Sequence, residues 1–185
     1  MRLLLLFMWV GWLVYWVIAA RGAKATQWRE PVSGLWLHNA LALLGTVVLA
    51  VPRASPAILR LPFLPHSLIG AWLGIAITAL GLGIAIAARI YLGGNWSARV
   101  EIKEEHALIR TGPYRYVRHP IYSGILLALL GSAIALDRWR ALLGFGLIFA
   151  ALWLKARHEE ERLRQVLPDY DTYASQTAAL IPFLL

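Results

Sequence analysis

The sequence predicts an all-α fold, a polytopic transmembrane helical bundle of about five spans whose C-terminal part is a helical hairpin. Three observations predict it. Of the 185 residues, 59% are hydrophobic and only 15% charged, where soluble domains carry about 25% charged residues, and mean hydropathy is +0.62. The apolar residues gather into five runs separated by polar links, each run near the roughly 20 residues that a membrane helix needs. Lys and Arg, finally, concentrate in alternate links, as expected of a chain that crosses a membrane repeatedly.

Residues 3–20 form the first run, free of charge and carrying Trp9, Trp12 and Trp16 at helical spacing. The run exceeds the roughly 7–15 residues of a signal-peptide core, so it reads as an anchored span. A polar link with Arg21, Lys24, Arg29 and Glu30 leads to a second span at residues 34–51. His38, near its start, either lines a polar path or, the favoured reading, sits at headgroup level. A Pro-rich link at 52–65 precedes the third span, residues 67–88, in which Gly70 and Gly74 lie one turn apart. Such spacing permits close helix contact.

From Arg89 to His119 the chain is polar, with six Lys or Arg and three Glu, and Pro120 opens a fourth run to Leu136. Proline suits a first helical position, where its missing N–H costs nothing. Asp137, Arg138 and Trp139 turn the chain into a fifth run at 140–154. At about 1.5 Å per residue these last runs reach only about 24 Å. They read as an antiparallel hairpin whose second helix continues past the membrane through Glu159 and Leu163. Residues 1–91 thus form a three-span scaffold, and residues 92–185 hold a polar loop, the hairpin and a tail.

With the N-terminus outside, 13 Lys and Arg fall in inside segments and five outside. The positive-inside rule then places the polar loop and the tail together in the cytoplasm. A net charge of +8 and a pI near 10.3 would suggest nucleic-acid binding in a soluble protein. Membrane-flanking basic residues account for them here, and no nucleic-acid partner is expected. With no cysteine, disulfides, thiolate metal sites and a catalytic thiol are excluded. No metal is expected.

Two polar constellations stand out. One runs from His106 to Gly124 and ends at the start of a helix, where free N–H groups and the helix dipole favour an anion. Residue types alone leave it either an anion site or a basic membrane-flanking segment. The other runs from Lys155 to Leu163, with Arg157/Glu161 and Glu160/Arg164 at the i,i+4 spacing of a solvated helix. Glu159, Glu160 and Glu161 nevertheless crowd the negative end of a membrane helix and call for a nearby cation.

The pattern His106-x-Leu108-Ile109-x-Thr111-Gly112-x-Tyr114, then Arg118-His119-Pro120-x-Tyr122-x-Gly124, then Glu159-Glu160-x-x-Leu163 resembles the isoprenylcysteine carboxyl methyltransferase family. Tyr170, Tyr173 and Leu180-Ile181-Pro182-Phe183 extend the likeness through the tail, over about residues 92–185. The resemblance implies an integral membrane methyltransferase that uses S-adenosyl-L-methionine in a cytoplasm-facing pocket. The implied cofactor contacts are His106, Ala107, Leu108, Ile109, Tyr114, His119, Pro120, Ile121, Tyr122 and Glu159. Arg118, Lys155 and Glu160 are the implied catalytic residues. Lys155 stands where related members carry Arg, a change that keeps the charge and loses the bidentate fork.

Methyl transfer from a sulfonium is an in-line displacement, so alignment dominates. A lipidic or small apolar acceptor is expected, with carboxyl O-methylation of an isoprenylcysteine-like substrate the first reading. Arg118 and Lys155 would then orient the carboxylate without a general base. The alternative is phospholipid N-methylation, which needs a base, with Glu160 or His158 as candidates. A sterol-type reductase using NADPH fits five spans poorly, and a non-catalytic membrane protein retaining the fold is the alternative of another class.

Overall fold

The computed structural model describes residues 1–21, 26–29, 32–51, 55–65, 67–96, 101–103 and 108–182. In chain order the elements are α1 (Arg2–Ala20), β1 (Thr26–Arg29), α2 (Val32–Ala50), α3 (Leu68–Leu92), β2 (Glu101–Lys103), α4 (Pro120–Leu136), α5 (Trp139–Val166) and α6 (Tyr170–Gln176). By length and composition α1, α3 and α5 are able to cross a membrane, and the shorter apolar helices Trp36–Ala50 and Pro120–Leu136 accompany them. Outward apolar side chains such as Phe7, 68% exposed, and Ile69, 81% exposed, suit lipid contact. The protein is an integral membrane helical bundle.

Small residues decide which helices meet. Along α3, Gly74, Thr78 and Gly81 lie against Gly131, Ala128 and Gly124 of α4, and a Cβ on Gly74 would come within 2.6 Å of the Gly131 carbonyl oxygen. Bare backbone at these positions lets two helices approach without lipid between them. Thr78 Oγ1 lies 3.2 Å from Ser132 Oγ, which accepts a 3.0 Å hydrogen bond from Trp9 Nε1. Gly45 and Gly144 do the same for α2 and α5. Gly70, expected to share a contact face with Gly74, does not: its nearest neighbour is Ser67, whose Oγ accepts from the Gly70 N–H as the α3 N-cap.

Two arginines at helix ends are buried, one of them, Arg89, assigned from sequence to a polar link and found in α3. Arg89 is buried in the last turn of α3, where it donates to the Ala19 carbonyl at 2.7 Å and the Gly93 carbonyl at 2.5 Å. Arg140, buried at the start of α5, donates to the Val48 carbonyl at 3.0 Å and to that of Leu49. Each satisfies carbonyls that a neighbouring helix leaves open at its C-terminus.

At one end of the bundle Asp137, with φ 48°, turns α4 into α5. Its Oδ1 accepts from the N–H groups of Phe63 and Leu64 at 3.0 and 2.8 Å. At the other end β1 pairs antiparallel with β2, Trp28 opposite Ile102, a ribbon with no signal in the apolar pattern. The tail returns there as well. The N–H groups of Arg118 and His119 donate to the carbonyls of Ala178 and Ala179 at 2.8 and 3.0 Å. The loop before α4, the far end of α5 and the tail therefore share one end of the molecule. As expected, α4 and α5 form a hairpin. At 28 residues α5 measures about 42 Å, longer than a roughly 30 Å hydrocarbon core.

Candidate active site

The start of α4 organises the polar cluster. Pro120 occupies the first turn and is buried, and His119 precedes it without a side-chain cap on the helix N–H groups. The His119 ring instead faces α5, with Nε2 3.2 Å from Glu160 Oε1 and Nδ1 3.5 Å from Glu159 Oε2. It stacks on Tyr122 at 5.3 Å between centroids and 3° between planes. The Tyr122 hydroxyl donates its one proton to the Glu159 carboxylate, lying 2.8 Å from Oε1 and 2.9 Å from Oε2. Lys155, one turn before Glu159, brings Nζ to 3.5 Å from Glu159 Oε1 and 5.3 Å from the Tyr122 ring centroid.

Glu160 lies on the tail side of the same cluster and is 1% exposed. Arg118 Nε donates to its Oε1 at 2.7 Å. Arg118 Nη1 donates to the carbonyls of Ala174, at 2.9 Å, and Thr177. Arg164 Nη2 lies 3.4 Å from Glu160 Oε2, the i,i+4 pair expected from sequence. Burial opposes ionisation of Glu160, but hydrogen bonds from His119 and Arg118 and their charges outweigh it and hold the carboxyl at about 2. Lys155 is thus the cation beside Glu159, and Arg118 and Arg164 are those beside Glu160.

An apolar wall adjoins this cluster. Tyr114 and Ile121 pack with Ala88, and Trp16, Trp96, Ile109 and Tyr122 close around them. Tyr114 sits on a 3-10 turn, Gly112–Arg115. Gly112 has φ 58°, and a Cβ there would meet the Tyr91 ring at 2.5 Å. The Tyr173 hydroxyl donates to the Tyr114 carbonyl at 2.6 Å. Burial pushes the Tyr173 phenol up to about 12 and the Tyr114 phenol higher still, so both remain protonated at neutral pH.

The structure brings most of the sequence-predicted residues together. Tyr122 joins the polar group of Arg118, His119, Lys155, Glu159 and Glu160 to the apolar group of Ile109, Tyr114 and Ile121. Leu108 is half-buried beside Ile109 in the chain, and Pro120 is buried within α4. His106 and Ala107 lie outside the described residues. Trp16, Trp96 and the Ala174 and Thr177 carbonyls escaped the sequence reading. The two tryptophans were visible only as aromatic residues of a span and a loop, and main-chain carbonyls leave no residue-type signal.

Residues 72–165, more than half of the chain, match the isoprenylcysteine carboxyl methyltransferase (ICMT) family. The chain is 30% identical over 118 residues to cobalt-zinc-cadmium resistance protein CzcN of Cupriavidus metallidurans, covering 62% of this chain and 53% of that protein. It is 29% identical over 117 residues to the probable protein-S-isoprenylcysteine O-methyltransferase of Oryza sativa subsp. indica, 61% of each chain. The uncharacterized protein YpbQ of Bacillus subtilis is 27% identical over 96 residues, 51% of this chain and 57% of that one. The chain spans less than two thirds of the length of each of these relatives.

Proposed function

The chain belongs to the isoprenylcysteine carboxyl methyltransferase family, and from that premise we propose that it is an integral membrane methyltransferase using S-adenosyl-L-methionine. Its acceptor on this reading is lipidic or apolar and carries a carboxylate, an isoprenylcysteine-like compound being the first choice. The observation that carries the reading is the Tyr122–Glu159 pair, a carboxylate held by one phenol hydroxyl at the edge of an aromatic wall.

The residues present fit the cofactor. N–H groups in the first turn of α4 carry no side-chain cap and suit a carboxylate. Glu159 suits an amino group or ribose hydroxyls, and the Tyr114 and Tyr122 rings suit adenine or a sulfonium cation. His106, Ala107, Leu108, Ile109, His119, Pro120 and Ile121 complete the proposed contacts. When bound, S-adenosylmethionine supplies a methyl group on sulfonium for in-line displacement.

The chain's own residues then align and exclude water. Lys155, within 3.5 Å of Glu159, is placed to orient the acceptor carboxylate. Arg118 and Glu160 bind each other and the tail, so we assign them a positioning role, holding His119 and α6 against α4. The apolar wall lowers the local dielectric where opposite charges meet and cancel. Residues 1–91 serve as scaffold and residues 92–185 as the catalytic region, in a prokaryotic inner membrane with the site facing the cytoplasm.

Calorimetric titration of the purified protein with S-adenosylhomocysteine, with NADPH as comparison, tests the reading. Saturable binding of the former alone is the expected result. Binding of neither would leave a non-catalytic membrane protein.

A further inference from the structure

The end of the bundle opposite the candidate active site gathers positive charge. Arg138 stands in the α4–α5 turn and Arg140 in the first turn of α5. The segment before α3 folds onto this turn, where the Trp139 N–H donates to the Leu61 carbonyl at 3.2 Å. That bond brings the backbone of Arg60, next to Leu61 in the chain, beside that of Arg138. Helix α1 adds Arg2. Leu5 is buried, Trp9 donates to Ser132 of α4, and residues three and seven apart share a helix face. Arg2 therefore begins the face of α1 that meets α4. It lies about 10 Å beyond Trp9, as the hairpin turn lies about 8 Å beyond Ser132. The charge of Arg140 feels those of both Arg2 and Arg138.

One carboxylate answers these four guanidiniums. Of the ten Asp and Glu in the sequence, Asp137 alone belongs to these segments. Its Oδ1 accepts from Phe63 and Leu64, and its Oδ2 is 3.9 Å from Arg138 Nη1. Arg138 and Arg140 otherwise donate to main-chain carbonyls, which accept hydrogen bonds without removing a full charge. Helix dipoles do not remove it either. At this end α1, α3 and α5 begin and α2 and α4 finish, which leaves one positive terminus in excess.

The rim of the patch is apolar. Ile58, Leu61 and Leu64 are exposed, as is half of Trp139, whose ring lies 5.8 Å from that of Phe63. A tryptophan at the end of a spanning helix marks headgroup depth. Cations at that depth, beside exposed apolar side chains, match an amphiphile with an anionic head. A free anion would use the arginines and leave the rim in water.

We propose that Arg2, Arg60 and Arg138, around the Asp137 turn, bind the phosphate of an anionic membrane lipid in the leaflet away from the candidate active site. Arg140 stays on α2 and adds its field. Helix α1, whose one buried residue is Leu5, gains through Arg2 a tie to the hairpin that depends on the lipid. The inference is independent of the methyltransferase reading.

The test uses the full chain in neutral detergent, with native mass spectrometry measuring affinity for added phosphatidylglycerol and phosphatidylcholine. Each arginine near an anionic headgroup is worth about fivefold, so wild type prefers phosphatidylglycerol by about tenfold or more. Arg2→Gln with Arg138→Gln lowers that affinity by about tenfold or more and leaves phosphatidylcholine unchanged. Arg157→Gln with Arg162→Gln removes the same charge about 28 Å away along α5, beyond the roughly 8 Å Debye length, and changes it by less than about twofold. Should the first double variant not fold, Arg60→Gln, on an exposed side chain outside the spanning helices, is read in its place, with a loss of about fivefold. No preference in wild type, an equal loss in the two double variants, or no loss in Arg60→Gln overturns the inference. Displacement of the lipid by inorganic phosphate overturns it too, and marks a site for a free anion.

Discussion

Arg118 and Glu160 stand 2.7 Å apart, 42 residues apart in sequence, and the same arginine reaches the Ala174 and Thr177 carbonyls. One guanidinium therefore fastens the loop before α4, the extension of α5 and the tail to each other. Arg118→Ala leaves the Glu160 carboxylate buried without its main partner, a change that costs about 3–5 kcal/mol. Thermal denaturation in detergent should fall markedly, with protease cutting first between α5 and the tail.

The same pair sets a pH dependence. Glu160 is held at about 2 against an ordinary 4.5, so the folded protein favours the ionised form. The stabilisation is complete above about pH 4.5 and falls away as pH drops through 2. Hydrogen exchange of the α6 amides should be flat from pH 7 to about 4.5, after correction for intrinsic rates, and rise below it. Glu160→Gln should abolish that acid-dependent loss.

Tyr122→Phe keeps the ring stacked on His119 and deletes the hydroxyl's hydrogen bond to the Glu159 carboxylate. A hydrogen bond to a charged group is worth about 1.5–3 kcal/mol, so S-adenosylhomocysteine affinity should drop by about tenfold or more in calorimetry. Glu159→Gln should weaken it too. Unchanged affinity in both variants would remove the pair from the site.

Helix contact predicts a contrast between two glycines. A methyl on Gly74 would meet Ala135 N and Gly131 O within 2.6 Å, whereas one on Gly83 meets nothing within 4 Å. Gly74→Ala should destabilise the bundle by about 1–3 kcal/mol through overpacking, read as a lower denaturation temperature. Gly83→Ala should be neutral or gain up to about 1 kcal/mol from helix propensity.

Arg138 lies in the α4–α5 turn, at the end of the bundle opposite the cluster. Arg138→Gln should leave S-adenosylhomocysteine affinity within about twofold. A large loss measured in the same titration would contradict the placement of the site.

The helices and their order were legible because each span announces itself locally, through a run of apolar residues bounded by charge, Pro or Gly. Pro120 marked the start of α4 and Asp137 the hairpin turn for the same reason. The cluster was legible by residue type, since His119, Tyr122, Glu159 and Glu160 are polar where the chain is otherwise apolar. Arg89 was misplaced because sequence shows a charge and not the α1 carbonyl that receives it, and the contacts of Arg140 with the α2 carbonyls were hidden for the same reason. Gly70 was misjudged because two glycines one turn apart look alike until a partner helix chooses one.

By itself, then, the sequence determined the bundle, the hairpin and the residue types gathered near α4 and α5, all of which depend on neighbours within a few turns. Tertiary structure alone decided that Arg118 belongs to the tail, that Trp16 and Trp96 complete the apolar wall, and that His38 meets His158. Those relations join residues 56 to 120 positions apart, and they arise from helix packing at small residues and from buried polar groups seeking partners. A local pattern carries neither.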